Sequence, residues 1–101
     1  MSKYLYNEIK EKLLETVCNG YEPEVTLYLY GKCYMIIGYK DRVSFQRCKS
    51  ENISGSGELF YDSINELYNT ETVDNILLSR DWKDIEDFEC FDFELFYQCK
   101  F

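Results

Sequence analysis

Residues 25–48 constrain the fold more than any other part of the chain. Two runs dense in β-branched and aromatic residues, Val25–Tyr30 and Cys33–Tyr39, are separated only by Gly31-Lys32. Such residues suit a pleated, half-buried surface, and a two-residue break containing glycine suits a hairpin turn. Lys40-Asp41-Arg42 is a second short break before a third run, Val43–Cys48. Parallel neighbours need a crossover of about a dozen residues or more. Neither break has that length, so the three strands are expected to be antiparallel and arranged as a meander.

The flanking segments supply what covers this ribbon. Residues 3–18 read as an amphipathic helix, with Leu5, Ile9, Leu13 and Val17 at four-residue steps and Tyr6 and Leu14 widening the stripe. Ser2 suits its start and Gly20 its end. Residues 49–57, with Ser-Gly-Ser-Gly at 54–57, read as a long flexible loop. Glu58–Tyr61 suits a short strand. Ser63 and Glu66 then form a capping box for a short helix bearing Ile64, Leu67 and Tyr68. Ser79 suits a further cap, for a helix running to about Asp87 with Trp82, Ile85 and Phe88 facing inward. In Glu89–Tyr97, Phe91, Phe93 and Leu95 alternate with Asp92 and Glu94, the pattern of a half-buried strand. The expected fold is one compact α+β domain over residues 1–101. An N-terminal helix packs on an antiparallel sheet of about four strands, with one or two short helices before the last strand.

Composition narrows the chemistry. The chain of 101 residues contains no His, the commonest general base, so Ser–His and Cys–His nucleophile pairs are excluded. No glycine-rich phosphate loop is present. No enzyme activity and no cofactor are expected. Five cysteines, Cys18, Cys33, Cys48, Cys90 and Cys99, include no C-x-x-C pair. An odd count and the absence of a leader-like apolar segment point to an intracellular protein, cytoplasmic, whose thiols act as small apolar fillers. A structural zinc site is not expected, nor is an EF-hand calcium loop, so no metal is assigned. No apolar run is long enough to span a membrane.

Charge carries the main functional signal. The first fifty residues hold eight basic and six acidic side chains, and the rest hold three and thirteen. The second half therefore carries −10 and the first half +2, which together give the net charge of −8. Such a field repels nucleic acid and anionic membranes and attracts basic proteins. Asp81, Asp84, Glu86, Asp87, Glu89, Asp92 and Glu94 fall within fourteen residues. On a helix, Asp81, Asp84 and Asp87 would share a face at three-residue steps. On a strand, Asp92 and Glu94 would project from one face about 6.6–7 Å apart. That spacing is of the order of phosphates along a nucleic-acid strand. These seven residues are the expected partner-binding site, and the bland reading is two solvated faces that keep the chain soluble. Ten tyrosines exceed what a core this small can satisfy. Tyr28, Tyr30 and Tyr34 on the first hairpin form a rival aromatic surface. Lys40, Arg42, Arg47 and Lys49 suit protection of a sheet edge.

In size, acidity and aromatic richness the whole chain resembles the anti-CRISPR proteins of phages of Gram-positive bacteria. Residues 60–85, with Thr72-Val73-Asp74-Asn75 and Ser79-Arg80-Asp81-Trp82-Lys83-Asp84-Ile85, are also similar to small uncharacterised proteins of the same bacteria. Those proteins are expected to carry Gly where Asn75 stands. The first resemblance implies an anti-CRISPR-type inhibitor whose acidic surface mimics nucleic acid. Its partner would be a basic nucleic-acid-binding protein such as a CRISPR effector nuclease, with no direct contact to nucleic acid. An immunity protein against a nuclease toxin shares the same electrostatic logic. A structural or regulatory protein of a phage or mobile element is the other alternative.

Overall fold

The computed structural model describes residues 5–89. Helix α1 spans Tyr6–Cys18, followed by strands β1 (Glu24–Leu29), β2 (Lys32–Gly38), β3 (Val43–Arg47) and β4 (Leu59–Tyr61). Two short helices follow, α2 (Ile64–Tyr68) and α3 (Leu78–Asp81), and then strand β5 (Asp87–Glu89). The sheet order is β4-β3-β2-β1-β5, antiparallel throughout. The α+β class, the N-terminal helix, the meander and the late short helices all match the sequence reading. β5 docks against β1, so among the described residues the sheet has five strands.

Alternation along the strands sorts the residues onto two faces. Val25, Leu27 and Leu29 of β1 are buried, as are Tyr34 and Ile36 of β2, Val43 and Phe45 of β3, and Phe88 of β5. Register ties them together across the sheet, with Phe88 opposite Leu27, Leu27 opposite Tyr34 and Ile36 opposite Phe45. Ile9 and Leu13 of α1, Ile64 and Leu67 of α2, and Leu78 and Trp82 join the same core. An aromatic cluster closes its far end. The rings of Tyr6 and Tyr68 stack at 3.6 Å between centroids, Trp82 meets Tyr6 edge-on at 5.2 Å, and Phe88 lies beyond Trp82.

Helix α1 ends in a Schellman motif. The N–H of Gly20 (φ +90°) donates to the carbonyl of Val17, and that of Tyr21 to Thr16. At its start, Leu5 occupies the cap without a side-chain bond, and Ser2 lies outside the described residues. Leu5 and Leu14 are exposed, and Thr16 takes a buried place on the helix by donating its hydroxyl to the Lys12 carbonyl. Ser63 caps α2 as expected, accepting from the Glu66 N–H.

Several local details differ from the sequence reading. The first hairpin turn is Tyr30-Gly31 and not Gly31-Lys32, because Leu29 pairs with Lys32 and both turn residues have positive φ. That is the type I′ geometry which matches strand twist. The loop at 49–57 is tied down: Arg47 donates to the carbonyls of Ser54 and Gly55, and its N–H donates to the Ser56 hydroxyl. The helix expected over 79–87 stops at Asp81. A single 3₁₀ turn, Trp82–Asp84, follows, and the chain is extended by Ile85. Ser79 makes no cap, and Leu77 stands at that position. The strand expected from residue 89 begins at Asp87. Phe91, Phe93, Leu95, Asp92 and Glu94 lie outside the described residues.

Candidate partner-binding surface

The acidic residues divide into two groups with different work. Asp81 is 4% exposed. Its carboxylate accepts from the Arg80 guanidinium at 2.8 and 3.0 Å, from the backbone N–H of Leu77 at 2.9 Å, and from the Tyr30 hydroxyl at 2.9 Å. Chiefly through Arg80, this holds the Asp81 carboxyl down at about 2. Asp84 also accepts from the Tyr30 hydroxyl at 2.9 Å, and Glu86 accepts from the N–H of Gly31 at 3.2 Å. These three carboxylates therefore clamp the tip of the β1–β2 hairpin against the segment before β5. Asp81 is inside the clamp and not on the surface. The single helical face expected for Asp81, Asp84 and Asp87 does not form, because the three fall in a helix, a 3₁₀ turn and a strand.

Asp84, Glu86, Asp87 and Glu89 remain exposed, within six consecutive residues. On β5 Phe88 is buried and Asp87 and Glu89 flank it outward; the alternation expected over residues 91–95 lies outside the described residues. Asp87 lies opposite Tyr28, and Glu89 opposite Thr26. Both carboxylates thus stand on the sheet face turned away from the core. Tyr28 feels them: burial first, then Cys33 and the charges of Glu89 and Asp87, push its hydroxyl ionisation up.

That outer face is an ordered set of cross-strand rows. Asp87, Tyr28, Cys33 and Cys48 make one, and Glu89, Thr26, Met35 and Gln46 the next. Glu24, Ile37, Ser44 and Phe60 make a third. Tyr28, Cys33, Met35, Ile37 and Gln46 are all half-buried, so the face is mixed, with acid at the β5 edge and softer apolar groups inward. At the opposite edge Phe60 is 47% exposed, with the Arg42 guanidinium 4.3 Å above its ring. Glu58 accepts from the hydroxyls of Ser44 and Tyr39, which hold its carboxyl below the usual range.

The three tyrosines of the rival surface do not share a face. Tyr28 is on the outer sheet face, Tyr30 at the hairpin tip, and Tyr34 in the core, donating its hydroxyl to Asp74 at 2.8 Å. Nor do Lys40, Arg42, Arg47 and Lys49 act as one patch. Arg47 pairs with Asp74, and Arg42 covers Phe60 at the sheet edge. Sequence reasoning missed Asp74, which gathers Arg47, Tyr34 and Lys32; Arg47 above all holds its carboxyl below the usual range.

Among the described residues no group of three or more His, Cys, Asp or Glu side chains could hold a metal ion, and no helix is long and apolar enough to cross a membrane. Comparison with protein-family models, with characterised proteins and with solved structures finds no match.

Proposed function

We propose that this protein is an anti-CRISPR-type inhibitor that binds a basic, nucleic-acid-binding effector protein through the β5 side of the sheet. One observation carries the reading: Asp84, Glu86, Asp87 and Glu89 are exposed at a single edge, and the last two project beside Tyr28. Alternate residues on a strand stand about 6.6–7 Å apart, a spacing of the order of phosphates along a strand of nucleic acid. A half-buried aromatic next to a row of carboxylates supplies an apolar anchor and a charge pattern together. Arginines that line a groove for phosphates would find carboxylates in their place.

The clean test spares the hairpin clamp. Reversing Asp87 and Glu89 to Lys alters the edge and leaves Asp81, Asp84 and Glu86 on Tyr30 and Gly31. Binding to a purified, guide-loaded CRISPR effector nuclease should weaken by at least about tenfold, since loss of one partner of a desolvated charge pair costs about 2–5 kcal/mol. Reversing Glu8, Glu11 and Glu15 on α1 should change little beyond the association rate. Affinity should also fall as salt rises, because exposed charges are screened beyond about 8 Å at physiological ionic strength. Binding that is flat in salt and survives the Asp87/Glu89 reversal would remove the acidic edge as the working surface.

A further inference from the structure

Cys33 and Cys48 are fifteen residues apart in sequence and match no local thiol motif. The fold sets them opposite each other. β2 and β3 pair with Tyr34 against Arg47, and the ladder continues one step, with the N–H of Cys48 donating to the carbonyl of Cys33 at 2.9 Å. Both thiols are half-buried, both are reduced, and both stand on the outer sheet face in the row of Tyr28 and Asp87. The register sets the two side chains next to each other on that face.

We propose that Cys33 and Cys48 form a reversible cross-strand disulfide, a redox-modification site that accepts small-molecule disulfides as its oxidant. Opposed residues that share a ladder hydrogen bond have Cα atoms about 5.5 Å apart, inside the range of about 4.4–6.8 Å that a disulfide spans. Their Cβ atoms, about 4.5–5.5 Å apart in such pairs, must draw together to reach the usual disulfide separation of about 3.5–4.5 Å. Closure therefore strains the two strands, and strained disulfides are the readily reduced, regulatory kind. A structural staple would not need this property; a switch does.

The chemistry is ordinary thiol–disulfide exchange. Either thiol can make the first attack as its thiolate, for example Cys33. Its sulfur bonds to one sulfur of oxidised glutathione, the S–S bond of that reagent breaks, and one glutathione leaves as thiolate. Cys48 then loses its proton, attacks the Cys33 sulfur and expels the second glutathione. Two protein thiols lose two electrons, one small disulfide gains them, and the two thiol protons end on the two glutathione products. Nothing in this step depends on the partner proposed above.

Peptide mapping of the whole chain after equilibration with oxidised and reduced glutathione tests the idea. Trypsin cuts after Lys32, Lys40, Arg47 and Lys49, so the link would join peptide Cys33–Lys40 to peptide Cys48–Lys49. The expected result is that this joined peptide is the main product, that both cysteines lose their alkylation sites together, and that reduced glutathione restores both. A variant with Cys18→Ser, Cys90→Ser and Cys99→Ser should give the same joined peptide, and circular dichroism should show it folded as the parent chain is. Cys33 or Cys48 joined mainly to another cysteine, carrying glutathione alone, or remaining open to alkylation would each overturn the proposal.

Discussion

Tyr30 is the residue on which the local argument turns. It has φ +52° at the first central position of the β1–β2 turn, where bulky side chains are rarely found and Asn or Gly is the usual choice. Left-handed backbone costs a non-glycine residue about 1–2 kcal/mol. What offsets this is the hydroxyl, which lies 2.9 Å from both the Asp81 and the Asp84 carboxylates and shares its one proton between them. Hydrogen bonds to charged groups contribute about 1.5–3 kcal/mol, less where water competes, and Asp84 is exposed. Tyr30→Phe keeps the ring and the turn and removes the donor, so it should destabilise the protein by about 1–2 kcal/mol in urea unfolding. Phe at this position with unchanged stability would mean that the clamp contributes nothing. Asp74 and Asn75 form a second pair with positive φ, 57° and 60°, a region glycine adopts freely. Asn tolerates this region better than most residues do.

At the scale of elements, Gly38 decides how closely α1 sits on β2. A Cβ there would lie 2.9 Å from Cγ2 of Val17, 3.2 Å from Cγ of Pro23 and 3.3 Å from Cδ1 of Leu13. Val17 is β-branched and stiff, and the Pro23 ring cannot rotate away. Gly38→Ala should therefore cost about 1–3 kcal/mol by overpacking. Adding Val17→Ala should recover part of the loss, because the two sites share one contact; a double variant no better than additive would place the strain elsewhere. Elements specified by local chemistry were legible in sequence. The β1–β2–β3 meander, the Ser63–Glu66 cap and Gly20 after α1 all lie where the residues indicated. The segment 79–87 was misread for a definite reason. Trp82, Ile85 and Phe88 recur at steps of three and all are buried, but that step also suits a 3₁₀ turn with 3.0 residues per turn running into a strand. The inward face was readable and the element type was not. The clamp, the Asp74 hub and the Cys33–Cys48 pair depend on contacts between residues 15 to 55 positions apart, which periodicity cannot see.

For the whole molecule, two electrostatic effects oppose each other as pH falls. The chain carries a net charge of −8 and has an isoelectric point near 4.5, so acidification from neutrality first relieves self-repulsion. Three carboxylates work the other way. Glu58 is held below its ordinary value by Ser44 and Tyr39, and Asp74 by Arg47 and Tyr34. Asp81 is held at about 2 against an ordinary 3.8 by Arg80, Leu77 and Tyr30. A carboxyl whose ionisation is depressed in the folded state stabilises that state above its unfolded value. The contribution is lost as pH falls through the folded value. For Asp81 the loss runs from just above 3.8 down to about 2. Tm should therefore stay level or rise slightly from pH 7 to about 5 and then drop steeply between about pH 4 and 2. Asp81→Asn keeps the shape, removes the charge and leaves Arg80 without its carboxylate. That variant should melt lower than the parent at neutral pH, and the two curves should converge at the acid end, where the parent's Asp81 is protonated. Thermal melts of both proteins at stepped pH measure this directly. Curves that ran parallel down to pH 2 would show that the Asp81 contacts are no stronger in the folded chain than solvation in the unfolded one.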